Sequence, residues 1–179
     1  AVINVITKEK HNGGSVGINT QNAVTTGFGN NAMNFKYNWG NSQLGVTYNI
    51  NYRNYNKRIL DEDISYAVEG TTYQKQKNGK KSPYAYEQQM AEISFNNSKS
   101  DNYIFSTKLS FNSLNRRRSS AQDIISTVND RIFEKIGQSS DKDKYISPVL
   151  DMYFSKTFNA KHELTMNLVG TYYKSDYDY

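Results

Sequence analysis

The sequence predicts an all-β fold of antiparallel strands connected up and down, as in the wall of a transmembrane β-barrel. Two observations indicate this fold. Stretches of about ten residues alternate apolar and polar side chains, and the connections between these stretches are in turn very short and very long. A period of two places one set of side chains on each face of a strand. Tight turns at one end and long loops at the other are typical of outer-membrane barrels.

The first predicted strand is Ser15 to Thr20, and a first external loop follows it from Gln21 to Ala32. Met33 to Trp39 and Leu44 to Tyr52 then form a hairpin around the tight turn Gly40 to Gln43. In both arms every second residue is apolar: Met33, Phe35, Tyr37, Trp39, Leu44, Val46, Tyr48, Ile50 and Tyr52. The residues between them are Asn, Lys, Thr and Gly, so each strand has two unlike faces.

Two more hairpins repeat this pattern. Ala91 to Phe95 passes through Asn96 to Asn102 into a strand from Tyr103 to Phe111. Leu150 to Phe158 passes through a three-residue turn into a strand from Leu164 to Tyr172. Together with the first strand, these hairpins predict about seven strands.

Aromatic residues are abundant, with 15 Tyr and 8 Phe in 179 residues. Trp39, Phe95, Tyr103 and Phe158 all lie beside the proposed short turns. Aromatic rings prefer the boundary between hydrocarbon and lipid headgroups. We therefore expect these rings to form one interfacial girdle.

Composition excludes a membrane-spanning helix but not a barrel. The mean hydropathy is −0.80, and no apolar run approaches the roughly 18 residues that such a helix requires. In a barrel wall only alternate residues meet lipid, so the average hydropathy stays low. The net charge of +5 comes from basic residues spread along the chain, and we expect no nucleic-acid partner.

A soluble β-sandwich would show the same alternation, because its alternate residues pack against a second sheet. The long connections, near Asn54 to Ala85 and near Asn115 to Lys144, favour the barrel because loops of this length are uncommon in compact domains. Single-chain bacterial barrels begin at eight strands, and an open sheet leaves two rows of backbone groups that lipid cannot satisfy. We therefore expect the sequence to be part of a longer chain.

The last long connection is expected to contain a short amphipathic helix. Ser120 to Asp123 resembles a capping box, and Gly137 is a suitable C-terminal stop. Apolar residues recur between them at every fourth position: Ile124, Val128, Ile132 and Ile136. The apolar side is expected to pack against other external loops, with binding of a ligand or a partner lipoprotein as the alternative.

The ligand-binding candidates are Arg116, Arg117 and Arg118, at the outer end of a predicted strand. Guanidinium groups bind carboxylates and phosphates through paired hydrogen bonds, so this cluster suits anionic groups of a siderophore or the phosphates of lipopolysaccharide. The alternative is a solvated loop base that pairs with Asp123, Asp130 or headgroups.

The sequence predicts no catalytic site, no metal site and no cofactor. His11 and His162 have no His or Cys partner at ligand spacing. No nucleophile, base and orienting group can be assembled from the sequence. We expect that the protein is not an enzyme.

The opening segment Val2-Ile-Asn-Val-Ile-Thr-Lys8 resembles the end of the plug domain of TonB-dependent outer-membrane receptors, directly before the first barrel strand. The Asn-, Tyr- and Lys-rich strands resemble those of the Bacteroidota members of this family. The resemblance implies that residues 1–10 are the last plug strand. It implies that residues 11–179 are the N-terminal part of a barrel of about 22 strands.

The resemblance also implies a location in the bacterial outer membrane and import of a scarce nutrient from the cell surface into the periplasm. The implied partners are outer-membrane lipid, the remaining barrel and plug, and TonB through an N-terminal region that is not in this sequence. A surface lipoprotein is a further candidate partner. The alternatives are a passive porin or adhesin barrel, and a soluble β-rich carbohydrate-binding domain. The transported substrate stays open.

Overall fold

The structure is a computed structural model that describes residues 12–25, 27–128, 131–159 and 161–179. Strands contain 88% of these residues, and every strand pairing is antiparallel. No helix occurs in the described ranges. The prediction of an antiparallel all-β fold is therefore confirmed. The plug strand predicted at residues 1–10 lies outside the described residues.

Ten strands follow one another along the chain. They are β1 (Gly13–Ala23), β2 (Gly27–Trp39), β3 (Ser42–Tyr55), β4 (Ile59–Val68), β5 (Thr71–Lys81), β6 (Tyr84–Lys99), β7 (Tyr103–Val128), β8 (Arg131–Asn159), β9 (His162–Thr171) and β10 (Lys174–Asp178).

These ten strands trace seven up-and-down passes of one sheet. β5 and β6 both pair antiparallel with β7, so they run in one direction and form a single interrupted pass. β3 and β4 form the neighbouring pass, and β9 and β10 both pair with β8. The hairpins turn at residues 40–41 and 100–102 at one end of the sheet, and at 69–70 at the other.

The sheet is open across the described residues. The part nearer the turns at 40–41 and 100–102, called here the lower part, has the order β1-β2-β3-β6-β7-β8-β9, with β10 following β9 beside β8. The part nearer the turn at 69–70, called here the upper part, has the order β4-β5-β7-β8. In the lower part β1 pairs only with β2 and β9 pairs only with β8, and these two edge strands do not pair with each other. The described strands therefore do not close into a barrel.

The two prolines of the chain lie at interruptions of the sheet: Pro83 between β5 and β6, and Pro148 within β8 beside the interruption between β9 and β10. Proline has no N–H to donate to a strand ladder. The carbonyl of Pro148 accepts a hydrogen bond from the Tyr172 N–H at 3.0 Å, between β9 and β10. The carbonyl of Pro83 accepts from the Ser119 N–H at 3.0 Å, between β5 and β6. Each interruption is thus bridged by a backbone hydrogen bond.

Gly29 allows a close approach between β2 and β3. It lies directly opposite Tyr52, and a Cβ atom added to it would lie 2.0 Å from Tyr52 Cε1. The Tyr52 hydroxyl donates to Asn22 Oδ1 at 3.2 Å, across this glycine. Only a residue without a side chain leaves room for the ring.

The prediction of long external loops is wrong. Residues 54–85 form the ends of β3 and β6 together with the β4–β5 hairpin, and residues 115–144 are mostly strand in β7 and β8. The predicted first loop, Gln21 to Ala32, is mostly the ends of β1 and β2. In each segment the backbone hydrogen bonds between paired strands continue beyond the stretch of alternating apolar and polar residues, so the hairpin is longer than predicted.

The helix predicted between Ser120 and Gly137 is also wrong, because this segment lies in β7 and β8. A spacing of four residues is a multiple of the strand period of two, so it does not distinguish a strand from a helix. The run from Ile124 to Val128 is rich in β-branched residues, which favour strands. Pairing on both sides of β7 satisfies its backbone along this segment.

Candidate functional site

One face of the lower sheet, called here the apolar face, carries apolar residues in continuous rows across the strands. The register places Phe35 opposite Val46 and Leu109 opposite Leu150. One row consists of Val16, Phe35, Val46, Ile93, Leu109, Leu150 and Gly170. The next consists of Ile18, Met33, Tyr48, Ala91, Phe111 and Pro148. The first row spans all seven passes.

The apolar face is not covered by any described part of the chain. None of the hydrophobic side chains whose burial the structure describes is buried, so these side chains form no hydrophobic core. Leu109 is 48% exposed and Met166 is 60% exposed. Water is a poor environment for a contiguous apolar surface of this extent. The apolar face is therefore expected to contact an apolar environment, either lipid hydrocarbon or another protein surface.

The apolar face has the dimension that a lipid-facing strand requires. On β7 it extends over nine residues, from Tyr103 to Phe111, and the same side then changes to Ser113, Asn115 and Arg117. A strand tilted by about 45° crosses the hydrocarbon with roughly 9–11 residues. The length of the apolar stretch matches this requirement.

Aromatic rings lie on the apolar face next to the tight turns. The centroid of Trp39 is 5.7 Å from that of Tyr37 and 6.0 Å from that of Phe95. The Phe95 ring lies 6.2 Å from Phe105 on the following strand. The rings lie on β2, β6 and β7 and thus extend over four neighbouring passes, in the position expected for an interfacial girdle.

The opposite face of the lower sheet, called here the polar face, is lined mostly by amides, hydroxyls and charges. One row consists of Asn34, Thr47, Glu92, Ser110 and Val149, and the next consists of Lys36, Gly45, Ser94, Lys108 and Asp151. Lys108 Nζ lies 3.9 Å from Glu92 Oε2. The Ser106 hydroxyl donates to Asn96 Oδ1 at 2.6 Å. This face is suited to contact with water.

The three arginines predicted as ligand-binding candidates do not form one cluster. Arg116 and Arg118 are on the polar face, whereas Arg117 is on the apolar face above its apolar rows. Arg116 Nη2 donates to Asp143 Oδ2 at 2.8 Å. Arg118 donates from Nε and Nη2 to Asp141 Oδ2, at 2.9 and 2.7 Å. Two of the three guanidinium groups are therefore already paired with aspartates.

The polar face carries a group of aromatic and arginine side chains near its upper end that sequence reasoning missed. The guanidinium carbon of Arg53 lies 3.5 Å from the centroid of Phe28 and 5.8 Å from that of Tyr86. Tyr86 contacts Tyr84 edge to face, at 5.7 Å between centroids. Arg53 also donates to the Tyr52 carbonyl at 2.9 Å. The only signal for this group in the sequence is the strand alternation, which places Phe28, Arg53 and Tyr86 on one face of the sheet.

A cavity of about 710 Å³ lies beside this group, where β2 begins and β3 ends. Tyr55, Tyr84, Lys57 and Arg58 contribute to its wall. Cavities of a few hundred Å³ with a few convergent polar groups are the usual form of a small-molecule site. This cavity and the two faces of the sheet are the candidate functional features of the described residues.

Comparisons with protein-family models, with curated proteins and with solved structures found no match. The described residues contain no helix of the length and apolarity needed to cross a membrane. They also contain no group of three His or acidic side chains placed to hold a metal ion.

Proposed function

We propose that the chain forms part of the wall of an outer-membrane transport barrel, with its apolar face in lipid and its polar face lining the interior. The observation that carries this proposal is the extent of the apolar face. Across the strands its first row spans all seven passes, and along β7 its length matches the thickness of the hydrocarbon. The polar face supports it as well, because alternate residues of a barrel wall face an aqueous interior.

Within this proposal, the two edge strands pair with further strands of the same barrel. Unpaired backbone groups are too costly in hydrocarbon for the edges to remain open. The resemblance of Val2 to Lys8 to the end of a plug supports the more specific proposal of a TonB-dependent receptor that imports a scarce nutrient. Outer-membrane lipid, the plug, TonB and a surface lipoprotein are then the proposed partners.

The proposal is tested by separating the membranes of cells that express the full chain. We expect the protein in the outer-membrane fraction, released by detergent and not by alkaline carbonate. Recovery in the soluble fraction would refute the barrel proposal and favour the soluble carbohydrate-binding domain.

Active transport and a passive pore are separated by conductance across a planar bilayer. A plugged receptor stays closed until the plug is unfolded with urea, whereas a passive porin conducts continuously. Stable open conductance of the native protein would replace the transporter with the porin.

A further inference from the structure

The cavity of about 710 Å³ is formed by a step in the upper margin of the sheet. Gly27 and Asn54 are the last register pair between β2 and β3. The β1–β2 hairpin ends near this pair, whereas the neighbouring pass continues from β3 into β4. The turn residue Thr25 and the interruption at residues 56–58 border the space that this step leaves.

The charges that the described residues contribute to the cavity wall are positive. Lys57 and Arg58 both contribute, and no carboxylate of the described residues does. Neither cation forms an ion pair with a described residue. This distinguishes them from Arg116 and Arg118, whose charges are paired with aspartates. The cavity therefore offers an uncompensated site for an anion.

The remaining side chains of the wall suit a sugar ring. Tyr55 and Tyr84 lie directly opposite each other on β3 and β6 and supply flat apolar rings with hydroxyl groups. Asn54 and Asn56 supply amides, which both donate and accept hydrogen bonds. Stacking on an aromatic ring together with amide hydrogen bonds matches a pyranose, whose carbon-bound hydrogens form a face and whose hydroxyls form the rim.

Contacts within the chain fix the position of Arg58 in the cavity wall. The guanidinium carbon of Arg58 lies 5.9 Å from the centroid of Tyr84, within the range of a cation–π contact. The Arg58 N–H donates to the Tyr55 carbonyl at 3.2 Å, and the Arg58 carbonyl accepts from the Ser82 N–H at 2.8 Å. Arg58 is therefore preorganised beside the ring on which a ligand would stack, which lowers the entropic cost of binding.

We propose that this cavity binds an acidic sugar, with its ring against Tyr84 and its carboxylate on Arg58 and Lys57. The inference deepens the proposed function, since it names the class of nutrient that the outer rim of the transport barrel receives. An arginine binds a carboxylate through two parallel hydrogen bonds, so the carboxylate is expected to contribute more to specificity than any hydroxyl.

The test compares glucuronic acid with glucose, which has the same ring without the carboxylate. Binding to the full chain in detergent micelles is measured by saturation-transfer NMR and titration calorimetry. We expect glucuronic acid to bind at least tenfold more tightly than glucose. Equal affinity for the two sugars, or binding of neither, would overturn the proposal. Competition by inorganic phosphate at a similar affinity would also overturn it, because the cavity would then be a site for any anion.

Two variants and a matched control assign the roles. Arg58→Gln is expected to weaken glucuronic acid about tenfold and leave glucose unchanged, whereas Tyr84→Leu weakens both sugars. The control Lys108→Gln removes a polar-face cation near the other end of the sheet and is expected to change neither affinity. An Arg58→Gln variant that binds glucuronic acid like the unsubstituted chain would overturn the assignment.

The binding test does not depend on the barrel proposal, because it is made in micelles and concerns one end of the sheet. A label on Leu109→Cys in vesicles reports separately whether the apolar face contacts lipid. A lipid-exposed label with no glucuronic acid binding would refute only the sugar site. A water-exposed label with glucuronic acid binding would refute only the membrane wall.

Discussion

Placing a charge on the apolar face should strongly destabilise the protein in a bilayer. Leu109 lies near the middle of the apolar stretch of β7, between Ile93 and Leu150 in the register, with no acidic residue in its row. Arginine at the midplane of a membrane strand costs about 2–4 kcal/mol. We therefore expect Leu109→Arg to reduce the ratio of folded to unfolded protein by roughly 30- to 1,000-fold.

The assay is urea unfolding of the full chain from phosphatidylcholine vesicles, followed by tryptophan fluorescence and gel mobility. The matched control is Ser110→Arg, one residue further along β7 on the polar face, where Glu92 lies directly opposite. This variant should stay within about 0.5 kcal/mol of the unsubstituted chain. Equal losses of stability in the two variants would refute the assignment of the faces.

Two further predictions concern stability and are measured by thermal unfolding. Gly29→Ala should cost about 1–3 kcal/mol because its Cβ would overlap the ring of Tyr52; Gly170→Ala, whose Cβ meets its nearest neighbour at 4.0 Å, should be near neutral, and the reverse order would contradict the packing. Asp141→Asn should cost about 1–2 kcal/mol because the carboxylate of this 11% exposed side chain accepts two N–H groups of its arginine partner. The control Asp178→Asn alters a 76% exposed side chain in a looser pair and should change stability by less than about 0.5 kcal/mol; an equal loss would contradict the structural role of the pair between Arg118 and Asp141.

The lower half of the fold could be predicted from the sequence because its two faces differ sharply. From Met33 to Tyr52, and again from Tyr103 to Phe111, the alternation is nearly unbroken, and these segments are strands with the predicted faces. Burial of one face against any apolar medium imposes such a pattern.

The upper half could not be predicted because its faces do not differ in the same way. Ile59 to Lys81 contains no sustained alternation, and its sequence is rich in charged residues. It forms β4 and β5 because the hairpin ladder continues upward from β3 and β6. Backbone pairing of this kind depends on register, which the composition of a segment does not reveal.

The candidate site depends on contacts between residues that are distant in sequence. Arg118 pairs with Asp141 because β7 and β8 place them directly opposite each other. The sequence suggested that the three arginines act together, but neighbouring residues of a strand point to opposite faces. The cavity likewise joins Arg58 and Tyr84 from different strands, and no local motif marks either residue.

The most direct test of the membrane wall is a cysteine scan along β7 from Tyr103 to Phe111. The chain has no native cysteine, so each variant carries one spin label. In vesicles, we expect accessibility to alternate with a period of two, with labels at odd positions accessible to oxygen in the hydrocarbon and labels at even positions accessible to a water-soluble nickel chelate. Access of the nickel chelate to the odd positions, or protection of these positions from both reagents, would contradict a lipid-facing apolar surface.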